Sequence, residues 1–142
     1  MPRKFKKELL KGLEVVDITA KGKGVVKSVE GKVIFVQDVV PGDKVTVETF
    51  KKRRGYFEAR LINIDDPSPD RVAPVCEHFG VCGGCKWQNL SYEAQLKFKQ
   101  KEILHNLKNL SGMVLPEIDE IKAAQQSYFY RNKMEYSFSN QR

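Results

Sequence analysis

Between residues 13 and 64, short apolar segments alternate with turns that contain glycine or proline, and this pattern constrains the fold more than any other feature. Within a segment, apolar side chains recur at every second position, as Val45 and Val47 do. Val16 and Ile18 are predicted to share a face in the same way. Pro41-Gly42 is a typical turn pair between two segments. We therefore predict five strands, at 14–19, 25–29, 32–36, 44–49 and 56–64.

Five strands joined by short turns within about fifty residues favour a small closed barrel of the OB-like type. A sandwich is the alternative, but so few residues hardly suffice for two sheets. A barrel of this size buries a modest share of its surface, so we expect it to lean on the chain that follows. The basic leader 1–11 carries Phe5, Leu9 and Leu10 at weakly helical spacing and is predicted to be a short helix or a frayed arm.

The chain divides at the acidic, proline-containing segment that begins at Asp65. We predict a barrel over 1–64, a linker over 65–73, and a second region over 74–142 that holds a cysteine loop, one helix and the start of a second sheet. The predicted fold class is thus mostly β with a helix (α+β). The alternating segment 133–139 reads as a strand without evident partners, so the chain is expected to stop as a new sheet begins.

The helix is predicted to start at Ser91, a good N-cap, with Glu93 in the first turn where the helix dipole favours negative charge. Gly112 is a natural stop. Apolar residues at helical spacing predict a buried stripe: Tyr92, Leu96, Ile103, Leu107 and Leu110.

The net positive charge of the chain is confined to its first 64 residues. Residues 1–64 hold fifteen Lys or Arg against eight Asp or Glu, whereas residues 65–142 hold ten of each. Such a one-sided excess is typical of a polyanion-binding surface, either for nucleic acid or for an anionic membrane. The absence of a basic amphipathic helix argues against a membrane, and no apolar stretch could span one or serve as a signal peptide. We expect a cytosolic, monomeric protein, although a merely basic surface is the plain alternative.

The predicted RNA contacts are basic residues on barrel loops, aromatic residues beside them and one late arginine. The aromatic pair could stack on unpaired bases, although strand alternation makes one of the two a core residue. The late arginine could equally lie on a solvated strand face. The full set is Lys21, Lys23, Lys51, Lys52, Arg53, Arg54, Tyr56, Phe57 and Arg131.

All three cysteines, Cys76, Cys82 and Cys85, fall within ten residues in a C-x5-C-x2-C spacing. An odd number in a cytosolic chain argues against disulfides, and clustered thiolates favour a metal over idle buried thiols. Zinc usually takes four ligands, which would require His78 at an awkward position between cysteines, or the helical His105. An iron–sulfur cluster with a distant fourth cysteine fits better.

These features together resemble the bacterial RNA (uracil-5-)-methyltransferases of the 23S rRNA type. The resemblance rests on the basic barrel, which looks like a TRAM domain, on Cys82-Gly83-Gly84-Cys85 followed by Trp87-Gln88, and on Tyr130-Arg131-Asn132-Lys133. It implies transfer of a methyl group from S-adenosylmethionine to C5 of a uridine, most readily in ribosomal RNA. It also implies a 4Fe–4S cluster held by Cys76, Cys82, Cys85 and a fourth cysteine outside this sequence.

In that family the catalytic cysteine, the general base and the S-adenosylmethionine domain would all lie beyond Arg142, so these 142 residues alone are expected to be inactive. Three other readings remain. A free-standing RNA-binding module with a structural zinc would need no catalytic domain. A radical methylthiotransferase has a different cysteine spacing and the barrel on the other side, and a ferredoxin-like carrier does not explain the basic barrel.

Overall fold

The computed structural model describes residues 6–28, 30–111 and 114–130. Its regular elements are β1 Leu9–Ile18, β2 Gly24–Lys27, β3 Val33–Val36, β4 Lys44–Lys52, β5 Tyr56–Asp66 and α1 Tyr92–Ser111. The predicted strand at 133–139, the helix stop at Gly112 and the candidate contact Arg131 lie outside the described residues.

The five strands close into a barrel in the order β1-β2-β3-β5-β4, so the predicted OB-like barrel is confirmed and the sandwich is excluded. All pairings are antiparallel except β3 with β5, where Phe35 lies opposite Glu58 and Val36 opposite Ala59. Closure removes the unpaired edges that an open sheet of this size would expose.

The barrel interior is filled by small branched side chains that alternate with outward-facing residues, as the pleat requires. Val45 and Val47 are both fully buried, as predicted. Half-buried Leu13, Phe57 and Leu61 pack against this cluster. The full buried set is Val15, Val26, Ile34, Val36, Val39, Val45, Val47 and Ala59.

Two predictions about β1 are wrong. Val15, not Val16, is buried with Ile18, because the pairing register of β1 shifts between Val15 and Asp17 and the alternation slips by one residue. Residues 9–11 are neither a helix nor a frayed arm, since Leu9 pairs with Glu48 and Leu10 with Val47 of β4.

A second apolar cluster joins the barrel to the chain that follows it. Ile18, at the end of β1, and Val40, in the connection between β3 and β4, pack with Trp87, Leu90 and Ala94. This cluster covers one end of the barrel, in keeping with the expectation that so small a barrel leans on later residues.

Helix α1 begins where predicted, because the Ser91 hydroxyl accepts a hydrogen bond from the Ala94 N–H at 3.3 Å. The predicted stripe, however, is wrong in its later turns. Tyr92 and Leu96 are half-buried, whereas Ile103 is 49% exposed and Leu107 38% exposed. The side chain of Leu110 lies outside the described part of the chain. The described residues 114–130 contain no further strand or helix and run back along α1, where the Ala124 N–H donates to the Tyr92 hydroxyl at 2.8 Å.

Candidate nucleic-acid interface and cysteine loop

The β1–β2 turn presents two of the predicted cations. Lys21 is exposed and Lys23 half-buried. The turn is closed by the Lys23 N–H, which donates to the Thr19 hydroxyl at 3.1 Å, and by the Thr19 N–H, which donates to the Lys23 carbonyl at 2.8 Å. These bonds fix where the two ammonium groups emerge from the barrel.

Gly22 brings this turn against the cysteine loop. Its φ is +75°, and a Cβ at this position would lie 2.8 Å from the Lys86 carbonyl oxygen. Only glycine accommodates both the left-handed backbone and the close approach. The basic turn is therefore in direct backbone contact with the residue that follows Cys85.

The second basic segment runs from the end of β4 into the turn before β5. Lys51, Lys52, Arg53 and Arg54 are all exposed. The predicted loop position is wrong for Lys51 and Lys52, because both extend β4 and pair with Glu58 and Phe57 of β5. The Arg53 N–H donates to the Tyr56 carbonyl at 2.9 Å, and Gly55 adopts a φ of +90° to complete the turn. The Arg53 guanidinium lies 3.7 Å from the Glu58 carboxylate, so it is partly neutralised.

The two candidate stacking residues, Tyr56 and Phe57, face opposite sides of β5. Phe57 packs against the barrel core, with the ammonium groups of Lys32 and Lys52 at 5.7 and 5.9 Å from its ring centroid. Tyr56 lies on the outer face, where its ring meets that of Phe35 edge to face at a centroid distance of 5.1 Å. The expectation that one of the pair is core therefore holds for Phe57, and Tyr56 is the one available to a ligand.

Sequence reasoning missed the outward strand residues that surround Tyr56. Phe35, Glu58 and Arg60 line depressions on the barrel's outer face, together with Phe50, which is 42% exposed. Their outward positions follow from alternation with buried Ile34, Val36 and Ala59, and that signal was available. Their proximity was not, because it depends on the parallel β3–β5 pairing.

The cysteine loop is exposed but held at its ends. Cys76, Cys82 and Cys85 are all exposed and form no disulfide with one another. At one end the Cys76 N–H donates to the Gln88 side-chain oxygen at 2.8 Å, and at the other Trp87 is buried in the second apolar cluster.

Inside the loop the backbone is turned around the central thiol. The Cys82 N–H donates to the His78 carbonyl at 3.1 Å, and the Gly84 N–H points at the Cys82 sulfur at 3.5 Å. The positive φ of Gly83 allows this turn. Nevertheless, within ranges 6–28, 30–111 and 114–130, no three His, Cys, Asp or Glu side chains are grouped closely enough to hold a metal ion.

A buried ion pair ties the barrel to the segment that leads into the loop. Asp43, fully buried, accepts hydrogen bonds from Arg71 through Nε at 3.0 Å and through an NH2 group at 2.6 Å. It also accepts the backbone N–H groups of Val40 at 2.8 Å and Ser68 at 3.0 Å. Burial alone would raise the pKa of Asp43, but the hydrogen bonds from Arg71, Ser68 and Val40 outweigh it and hold that pKa below its usual value.

No helix in the part of the chain that the structure describes is both long and apolar enough to cross a membrane.

Relatives of this chain carry a consistent name. A Porphyromonas gingivalis protein is 40% identical over 130 residues, and one from Bacteroides thetaiotaomicron is 46% identical over 125; both are named as uncharacterized RNA methyltransferases. A Xylella fastidiosa protein named 23S rRNA (uracil(1939)-C(5))-methyltransferase RlmD is 39% identical over 126 residues. No protein-family model matches the chain.

The three matches cover 92%, 88% and 87% of this chain but only 28%, 27% and 28% of the relatives. The chain thus spans little more than a quarter of their length. Over most of its own length, it is a homologue of a segment of bacterial proteins named as RNA methyltransferases.

Proposed function

We propose that this chain is the RNA-binding and cluster-binding part of an S-adenosylmethionine-dependent enzyme that methylates C5 of a uridine, in ribosomal RNA. The observation that carries the proposal is the match of about nine-tenths of the chain to proteins named RNA methyltransferases. The choice of uracil C5 and of 23S rRNA is supported by the name of the Xylella relative. The basic barrel supplies an independent physical reason to expect an RNA substrate.

The barrel's part in such a reaction is to bind RNA away from the reacting base. A base inside a stacked helix must be unstacked before an enzyme can reach its C5, at a cost of a few kcal/mol. Contacts of Lys21, Lys23 and the Lys51–Arg54 loop with phosphates would offset that cost, because they hold the strand while the base is extruded. Each phosphate contact adds roughly one unit to the log–log salt dependence of binding.

Three thiolates of the cysteine loop are the proposed ligands of an iron–sulfur cluster. Their donor chemistry fits, since clusters are bound by cysteine thiolates with N–H groups donating to sulfur, as the Gly84 N–H does to Cys82. In the described residues the three thiols are not grouped closely enough to bind one metal ion. A four-iron cluster also needs a fourth ligand, which these three cysteines do not supply. The loop would have to contract, and a fourth cysteine would have to come from elsewhere in the protein. When bound, the cluster would neutralise the thiolates and fix the loop beside the basic turn.

A direct test is to incubate the full-length protein with unmethylated 23S rRNA and labelled S-adenosylmethionine, and to identify the methylated nucleoside by mass spectrometry. Production of 5-methyluridine is expected. A different methylated nucleoside would contradict the uracil-C5 assignment, and no methylation of any RNA would contradict the enzyme itself. Iron and sulfide analysis of the anaerobically purified protein tests the cluster separately; zinc with no iron would contradict it and favour the zinc module.

The basic loop is tested by a charge variant. Replacing Lys51, Lys52, Arg53 and Arg54 together by Ala should weaken RNA binding at low salt and flatten its salt dependence. Replacing Lys51 and Lys52 alone by Ala gives a two-charge variant, and its matched control is the replacement by Ala of Lys7 and Lys44, which form exposed ion pairs elsewhere on the barrel. Equal affinity for the wild type and the loop variant would exclude the loop as an RNA contact.

A further inference from the structure

The outer face of the barrel carries a groove whose chemistry is more selective than that of a phosphate-binding surface. It consists of two adjoining depressions of about 290 and 370 Å³, which is within or near the size range of small-ligand sites. Both are lined by Lys23, Phe35 and Glu58, so they form one feature that we call the outer groove. It lies across the β3 and β5 strands and reaches the β1–β2 turn.

The groove has an aromatic floor. Phe35 points outward because Ile34 and Val36, its neighbours in β3, fill the barrel. Its contact with Tyr56 supports the ring from one side, and Phe50 is exposed in the same depression as Phe35. Exposed aromatic rings on a barrel's outer face are platforms on which unpaired bases stack.

The charges in the groove are of both signs. Lys23 and Arg60 are cations suited to phosphates, whereas Asp38 and Glu58 are carboxylates in the same lining. Carboxylates repel phosphate but accept hydrogen bonds from amino groups on base edges, as they do from cytosine N4. Glu58 also lies 3.7 Å from the Arg53 guanidinium, whereas Asp38 is exposed, so Asp38 is the more accessible of the two acceptors.

We propose that the outer groove binds one unpaired nucleobase that carries an exocyclic amino group, stacked on Phe35 and hydrogen-bonded to Glu58 or Asp38. The adjoining phosphates lie against Lys23 and Arg60. Adenine, cytosine and guanine have such a group and uracil has none, so the groove selects against the base that the enzyme is proposed to methylate. It therefore recognises a neighbouring base and places the target uridine in register. This inference rests on the proposed RNA-binding function.

The test compares the binding of equal-length oligoadenylate, oligocytidylate and oligouridylate to the full-length protein by fluorescence anisotropy. We expect oligoadenylate and oligocytidylate to bind about tenfold more tightly than oligouridylate, because all bases can stack but only the amino-bearing ones can donate to the carboxylate. Phe35→Leu, which keeps the apolar contact within the sheet, should weaken oligoadenylate binding several-fold. Ile62→Ala is the matched control, because Ile62 is an exposed β5 residue outside the groove lining.

The carboxylates are tested by Asp38→Asn combined with Glu58→Gln. Asn tolerates the positive φ of 62° that Asp38 adopts, so the fold should persist, and thermal melting checks this. An amide donates as well as accepts, so the preference over oligouridylate should shrink toward unity. If the wild type binds all three oligomers equally, or if the double variant keeps the full preference, the groove proposal is wrong while RNA binding stands. If the wild type binds no RNA at all, including 23S transcripts, the proposed function itself fails.

Discussion

The barrel and the cysteine loop are joined by backbone contacts, yet they differ in what holds them together. The barrel closes on itself, so each of its five strands pairs with two neighbours around a buried cluster of eight residues. The loop has three exposed thiols, a few backbone hydrogen bonds of its own, and anchors at its ends in the Gln88 hydrogen bond and in Trp87. The barrel's geometry thus follows from its own side chains, whereas the proposed cluster, when bound, would set the final geometry of the loop.

The boundary between the two regions is where they can be separated by mutation. Asp43 stands in the barrel's β3–β4 connection and bonds Arg71 and the Ser68 N–H beyond the barrel. If the barrel is stable by itself, breaking this link should loosen the later segment more than the barrel.

Asp43→Ala is expected to have the largest effect. It leaves two backbone N–H groups without their acceptor and Arg71 with the Asp38 carbonyl but no carboxylate, and breaking a buried ion pair costs about 3–5 kcal/mol. Chemical denaturation should show this loss in the free energy of unfolding. Lys101→Ala is the control: its 2.6 Å pair with Asp17 is exposed, so the loss should be at most about 1 kcal/mol. Similar losses for both variants would contradict the special role of the buried pair.

Acid should weaken the ion pair between Asp43 and Arg71. Because the folded-state pKa of Asp43 is depressed, its contribution to stability is full above the unfolded pKa of about 3.9 and disappears as pH falls through the folded pKa. The unfolding free energy of the wild type should therefore drop more steeply below about pH 4 than that of Asp43→Asn. Parallel pH profiles for the two proteins would show that Asp43 does not titrate differently in the folded state.

The sequence predicted those features that depend on interactions between residues close together in the chain. It missed those that depend on residues far apart in the chain. Alternation placed Val45 and Val47 correctly because each strand's pattern is local. It failed at Val16, where a register shift in β1 inverts the alternation, and nothing in the local sequence marks that shift. The predicted stripe on α1 failed in its later turns for a related reason: periodicity identifies an apolar face but not whether another element covers it.

The candidate site also contains features that the sequence predicted and features that it did not. The charged loops and the cysteine spacing were evident because they are contiguous in sequence. Phe35, Glu58 and Arg60 were missed as a group, since only the parallel β3–β5 pairing brings them together. The ion pair of Asp43 with Arg71 joins residues 28 positions apart and has no local signature.

Gly22→Ala tests how rigidly the two regions are coupled. Alanine at φ +75° costs about 1–2 kcal/mol, and its Cβ would press on the Lys86 carbonyl oxygen. Gly31→Ala is a matched control, because Gly31 has a φ of +76° with nothing within 4 Å of the added Cβ. The excess loss in Gly22→Ala measures the contact alone. We also expect faster hydrogen exchange of the Leu90 amide, which donates to the Trp87 carbonyl at 3.0 Å, in Gly22→Ala only; equal exchange in both variants would mean that the turn does not support the loop.

Cys82→Ser should have the smallest effect on the metal-free protein and thereby gives the sharpest contrast between the regions. The side chain is exposed, so the substitution should change the free energy of unfolding by no more than about 0.5 kcal/mol. After anaerobic loading of the full-length protein, the same variant should lose most of its bound iron, because a serine hydroxyl is a poor substitute for a thiolate. Val81→Ala, an exposed neighbour that offers no ligand, should retain its iron. A loss of stability in the metal-free Cys82→Ser protein would show that the thiol already supports the loop, and full iron content in that variant would remove Cys82 from the proposed ligand set.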